Sequence, residues 1–117
     1  MNSVNEIASR LSSLCRELKF PDAYRELFSE HAESIDPIYG NVPLNGLGKL
    51  LEREEKFLAA TEVHGLTMSD PVFAGNYFCV GMTLDFTTQG QERRSVEELC
   101  MYKVENGKIV SQQFFIG

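Results

Sequence analysis

The chain has 117 residues, with 17 acidic and 11 basic side chains and a formal net charge of −6. That length suits one domain spanning 1–117, with room for one core and one internal cavity. The acidic balance argues against nucleic acid as a partner, because phosphate binding needs clustered Lys and Arg and the only adjacent basic pair is Arg93-Arg94. No apolar run approaches the ~18 residues of a membrane span, and no basic stretch followed by an apolar one marks a signal peptide. The three cysteines, Cys15, Cys79 and Cys100, are odd in number, far apart and set among apolar neighbours. They are expected as free thiols in a reducing cytoplasm rather than as a disulfide framework. No Cys-x-x-Cys exists and His31 and His64 are widely separated, so the sequence offers no protein-only zinc site.

The elements follow in order. Ser3 and Glu6 predict a capping box, with Val4, Ile7, Leu11, Leu14, Cys15 and Leu18 along one stripe of the helix behind it. Pro21 suits the first turn of a short second helix carrying Tyr24, Leu27 and Phe28, and His31 is expected near its C-terminal end. Ala32 to Ile38 reads as a short strand, stopped by Asp36-Pro37 and Gly40. Asn45 is the expected cap of a third helix whose buried face holds Leu47, Leu50, Leu51, Phe57 and Leu58, with the charge run Glu52 to Lys56 as its solvated face.

From Thr61 the pattern changes to runs rich in Val, Phe, Tyr and Thr, separated by turn signals. Strands are predicted over about 61–73, 77–87, 92–104 and 108 to the end, with turns at Gly75-Asn76, Gln89-Gly90 and Asn106-Gly107. Helices before consecutive strands indicate an α+β domain: a curved antiparallel sheet with three helices on one face. On the second long strand Phe78, Val80, Met82, Leu84 and Phe86 share one face, and Tyr77, Cys79, Gly81, Thr83 and Asp85 the other. On the last strand Gln112, Phe114 and Ile116 alternate with Gln113 and Phe115. Apolar side chains on both faces predict that one meets the helices and the other a second copy of the chain. The Gly46 to Lys49 segment lacks the spacing and the Ser or Thr of a phosphate loop, and no Gly-x-Ser-x-Gly elbow occurs.

This layout resembles the nuclear transport factor 2-like superfamily, and within it the ketosteroid isomerase-like and SnoaL-like branch. The resemblance runs over nearly the whole chain. It is carried by Leu27-Phe28, Ile35-Asp36-Pro37, Gly46 before a helix, and the terminal hairpin Asn106-Gly107-Lys108-Ile109-Val110-Ser111 with an aromatic strand behind it. It implies a cone-shaped barrel whose mouth holds a small apolar ligand, and a family of activities that includes isomerases, cyclases, dehydratases and pure binding modules. It implies no cofactor. Asp36, followed by Pro37, matches the general base of the ketosteroid isomerases. Their two donors to the enolate oxygen, a first-helix Tyr and a strand Asp, fall at about Ser12 and Cys100, where this sequence departs from the pattern. Strand geometry offers Tyr102 and Glu98 as substitutes on the face of Cys100.

The expected catalytic residues are therefore Asp36, Tyr102 and His64, whose face is left open. The expected ligand contacts are Glu98, Cys100, Phe78, Met82, Phe86, Gln112 and Phe114. The alternative is a non-catalytic, dimeric ligand-binding or accessory module of the same fold.

Overall fold

The computed structural model describes residues 3–117. Helix α1 (Val4–Arg16) starts at the expected capping box: the Ser3 hydroxyl accepts from the Glu6 amide, and the Glu6 carboxylate accepts from the Ser3 amide, both at 3.1 Å. Helix α2 (Phe20–Leu27) carries Pro21 in its first turn, where no intrahelical partner is lost. Strand β1 (Phe28–Ile35) leaves α2 without a loop. It begins four residues before the expected start, so Phe28 and His31 belong to a strand and not to a helix end. A 3₁₀ turn (Pro37–Tyr39) and a two-residue strand β2 (Leu44–Asn45) precede α3 (Leu47–Ala59). Asn45 pairs in β2, and Gly46 takes the cap position of α3 at φ +103°, a conformation that favours glycine.

The remaining strands are β3 (Thr61–Met68), β4 (Val72–Ala74), β5 (Tyr77–Thr88), β6 (Arg94–Glu105) and β7 (Lys108–Ile116). The expected strand over 61–73 is thus two strands, both paired antiparallel to β5. The β6–β7 hairpin turns at Asn106-Gly107, both at positive φ (52° and 74°), as a two-residue primed turn requires. The sheet order is β2-β1-β7-β6-β5-β3. β1 joins β7 in parallel, which makes the sheet mixed rather than a simple meander.

The three helices lie on one sheet face and bury α1's Ile7, Leu11 and Leu14, α2's Leu27 and α3's Leu50 in a common cluster with Phe78, Val80, Cys100, Tyr102, Val104 and Ile109. Cross-strand register aligns the inward side chains in rows: Phe78 with Tyr102 and Gln112, Val80 with Cys100 and Phe114, Met82 with Glu98 and Ile116. The first two rows lie largely in the core. The third stands where the sheet opens toward a cavity.

Candidate functional site

The cavity has a volume of about 300 Å³ and lies between the helices and the inner sheet face. Its walls are apolar: Leu11 from α1, Phe20 and Tyr24 from α2, Phe57 from α3, and Met82, Leu84, Phe86 and Phe114 from the sheet. Ile38, Tyr39 and Arg94, all exposed, stand at its rim. A chamber of this kind buries an apolar body and orients it by a few polar groups.

Those polar groups come from separate elements. Asp36 ends β1 because Pro37 cannot continue it. The carboxylate caps the 3₁₀ turn, with Oδ1 accepting from the Ile38 amide at 2.9 Å. The residue is 8% exposed, and among the described residues nothing bonds Oδ2. Burial raises its pKa, opposed by the Ile38 bond and the Arg53 charge.

Glu54 from α3 and Glu98 from β6 also line the chamber. Burial pushes the Glu54 carboxyl up to about 7; the nearby Arg53 charge opposes the rise and that of Asp36 adds to it. Burial pushes Glu98 up to about 7 as well, helped by the charges of Asp36 and Glu54. Among the described residues its one bond is a weak one, accepted by Oε1 from the Cys100 thiol at 3.9 Å. At neutral pH each glutamate therefore has access to both protonation states, as acid–base work requires.

Arg53 does not pair with these carboxyls. Its Nη2 donates to Ser34 Oγ at 2.8 Å, and its guanidinium lies 4.5 Å over the Tyr39 ring. Ser34, fully buried, also accepts from Gln112 Nε2 at 2.9 Å, and the same amide donates to the Tyr24 hydroxyl at 2.7 Å. This chain of bonds satisfies the polar groups that β1 and β7 bring side by side, since Ser34 and Gln112 are direct strand partners. Tyr102 is 5% exposed and lines the cavity, and burial raises its pKa well above the ordinary value, so its hydroxyl stays protonated.

A family model for the SnoaL-like domain matches residues 2–116. The chain belongs to the SnoaL-like domain family. No curated protein matches the sequence significantly. Among solved structures it is similar to a proposed SnoaL-like polyketide cyclase from Mesorhizobium loti, also labelled a carbohydrate phosphatase: TM-score 0.90, 24% identity, covering 97% of this chain and 99% of that one. A Burkholderia pseudomallei protein of unknown function, described as nuclear transport factor 2-like, matches at TM-score 0.80 and 12% identity over 100% and 92% of the two chains. A Catenulispora acidiphila protein with a ketosteroid isomerase-like fold, solved in complex with trimethylamine, matches at TM-score 0.77 and 15% identity over 94% and 84%. At these identities the likeness is one of fold.

In this SnoaL-like domain Asp36, Tyr102, Glu98, Met82, Phe86, Gln112 and Phe114 all border the cavity. Three other expected residues do not. Phe78 and Cys100 point inward but are filled over by the core, at 1% and 0% exposure. Burial also pushes the Cys100 thiol far up, which keeps it protonated. His64 faces the opposite side, with Nε2 at 2.7 Å from Thr87 Oγ1 on the outer surface. Val63 pairs with Phe86 on the inner face, so alternation turns His64 outward, and His64 is also the extra residue of a bulge before Gly65 pairs with Asp85. Ser12 is buried, with a hydroxyl that has no hydrogen-bond partner among the described residues, and it does not border the cavity.

Sequence reasoning missed Arg53 and Glu54, which it placed on a solvated face. Glu54 stands four residues after Leu50 and three before Phe57, so it lies on the same helix stripe as the buried positions. That spacing was the available signal. Glu52, Glu55 and Lys56 do face solvent. Among the described residues no cluster of three or more His, Cys, Asp or Glu is placed to hold a metal ion, and no helix is long and apolar enough to cross a membrane.

Proposed function

We propose that the cavity binds a small, largely apolar carbonyl compound and carries out cofactor-free acid–base chemistry on it, as an isomerase, cyclase or dehydratase. The observation that carries this reading is a chamber of about 300 Å³ with apolar walls that reaches the buried carboxylate of Asp36. Oδ2 of Asp36 is the base and removes a proton next to the carbonyl. The Tyr102 hydroxyl and the protonated form of Glu98 donate to the carbonyl oxygen as negative charge builds there, replacing the donors that Ser12 and Cys100 cannot supply. His64 has no part in this scheme.

Proton exchange in deuterated water tests it. A panel of apolar ketones is followed by NMR, with the unmodified protein and Asp36→Asn. Asparagine keeps an oxygen for the Ile38 amide, so the turn survives. Exchange should fall by at least ~100-fold, with the circular dichroism unchanged. Undiminished exchange in the variant would remove Asp36 as the base. Binding without exchange in the unmodified protein would reduce the function to that of a ligand-binding module.

The outer sheet face supports a second part of the reading, a homodimer. Leu99 and Phe115 are cross-strand partners, Leu99 also pairs with Gly81, and Met101 pairs with Cys79 beside them. Leu99, Met101 and Phe115 are all exposed, and together they form an apolar patch that a second copy would cover. Light scattering at micromolar concentration should give twice the chain mass, and Met101→Glu should give the monomer. A monomeric unmodified protein would end the proposal.

A further inference from the structure

We propose that the ligand of this cavity carries a protonated amine on its apolar body. The inference rests on the reading of the cavity as a small-molecule site and adds the charge of what it holds.

Three carboxyls from three elements converge on the chamber: Asp36 from the end of β1, Glu54 from α3 and Glu98 from β6. None of them belongs to an ion pair among the described residues, although seven such pairs form elsewhere. The two guanidinium groups at the chamber are otherwise engaged. Arg53 is bonded to Ser34 and laid over Tyr39. Arg94 is exposed at the rim, 5.1 Å over the Phe86 ring, where water screens its charge.

Asp36 supplies an independent sign of a missing partner. It is more than nine-tenths buried and one of its oxygens faces the cavity unbonded. An acceptor left open to the cavity in this way gains a bond when a ligand N–H meets it. An ammonium group has three N–H donors and one positive charge, which suits a chamber lined by carboxyls. The aromatic faces of Tyr24, Phe28 and Phe114 suit both the apolar body and the cation. A carboxylate ligand would instead add a fourth like charge to a desolvated site. A wholly apolar ligand would leave Asp36 Oδ2 without a donor.

The ionisation of the glutamates supports the assignment and gives it a pH signature. The groups that face them are Asp36 from β1, Tyr39 and Arg53 across the mouth, Arg94 and Tyr102 on the sheet, and Cys15 and Tyr24 on the helices. Of these, burial pushes Cys15 up to about 12 and raises both Tyr24 and Tyr102, so none of the three titrates near neutrality. Glu54 and Glu98, both held up to about 7, therefore become more anionic as pH passes from 6 to 8. An ammonium ligand should bind more tightly across that interval.

The test is calorimetric titration of the full chain with three probes of one skeleton, 2-phenylethylamine, 2-phenylethanol and phenylacetate, at pH 6 and pH 8. The amine should bind at least tenfold more tightly than the alcohol at pH 8, the advantage should shrink at pH 6, and phenylacetate should not bind. Glu54→Gln and Glu98→Gln, singly and together, should lower amine affinity up to tenfold and leave the alcohol unchanged. Glu97→Gln, on the outer face of the same strand, should change neither. Equal affinity for amine and alcohol, tighter binding of phenylacetate, binding of none of the three, or an amine preference that survives the double substitution would each overturn the inference. The exchange experiment with Asp36→Asn decides the underlying reading separately.

Discussion

The closed end and the open end of the cone are built on the same strands, yet one is filled and the other hollow. At the closed end Phe78, Val80, Cys100 and Val104 share a core with Ile7, Leu14 and Leu27 of the helices. At the open end Met82, Leu84 and Phe86 continue the same face of β5, but α3 sets Arg53 and Glu54 across from the sheet and β1 ends in Asp36. Among the described residues neither Asp36 nor Glu54 has an ion-pair partner that would draw the walls together. The lesson is that strand alternation selects which side chains point inward, and the helices decide whether the interior closes. A single inward stripe on α3 therefore changes from core to site within two turns.

The largest effect should appear at the closed end. Phe78→Ala should cost about 4 kcal/mol, because it opens a void that its close-packed neighbours cannot fill. Urea unfolding measures this, and a loss below about 1 kcal/mol would show that the closed end is not packed as described.

Next in size is a pH effect confined to the open end. Unfolded glutamates ionise near ~4.3, whereas Glu54 and Glu98 in the fold hold their protons to about 7. Between those values the folded chain binds more protons, so their contribution to stability falls as pH rises and is constant above that window. The double Gln variant should remove this fall and be more stable than the unmodified chain at pH 8. At pH 4 the two should be alike. Identical stability–pH profiles from 4 to 8 would contradict the burial of these carboxyls.

The smallest effect should come from Met82→Ala. Its side chain already borders the cavity, so truncation enlarges a space that exists and should cost about 1 kcal/mol. If Phe78 and Met82 cost the same, the contrast between the ends is lost.

Local chemistry made most of the fold legible. The Ser3–Glu6 box, Pro21, the Asn106-Gly107 turn and the alternation on β5 each act over a few residues, and each is present in the structure. What could not be read was decided by partners distant in sequence. β1 begins at Phe28 because β7 lies alongside it in parallel, with Phe28 opposite Ile109. Part of the site was legible through the position of Asp36 and the strand face of Tyr102 and Glu98. Glu54 was hidden because a charged run reads as solvated unless its helical phase is followed residue by residue. Cys100 and Phe78 share a face with the cavity residues, and only depth along the strand separates lining from core.

The bulge at His64 carries a consequence for insertions and deletions. Val63, Leu66 and Met68 pair with Phe86, Leu84 and Met82, all on the inner face. If every residue were present and paired in turn with no bulge, strict alternation from Val63 would turn Leu66 and Met68 to the outside. Losing residue 64 would only remove the bulge, and Gly65, Leu66 and Met68 would keep their partners and their sides. A residue lost from the regular stretch beyond it would instead act as a frameshift acts on a reading frame, and the wall beside the cavity would be rewritten by chain length alone.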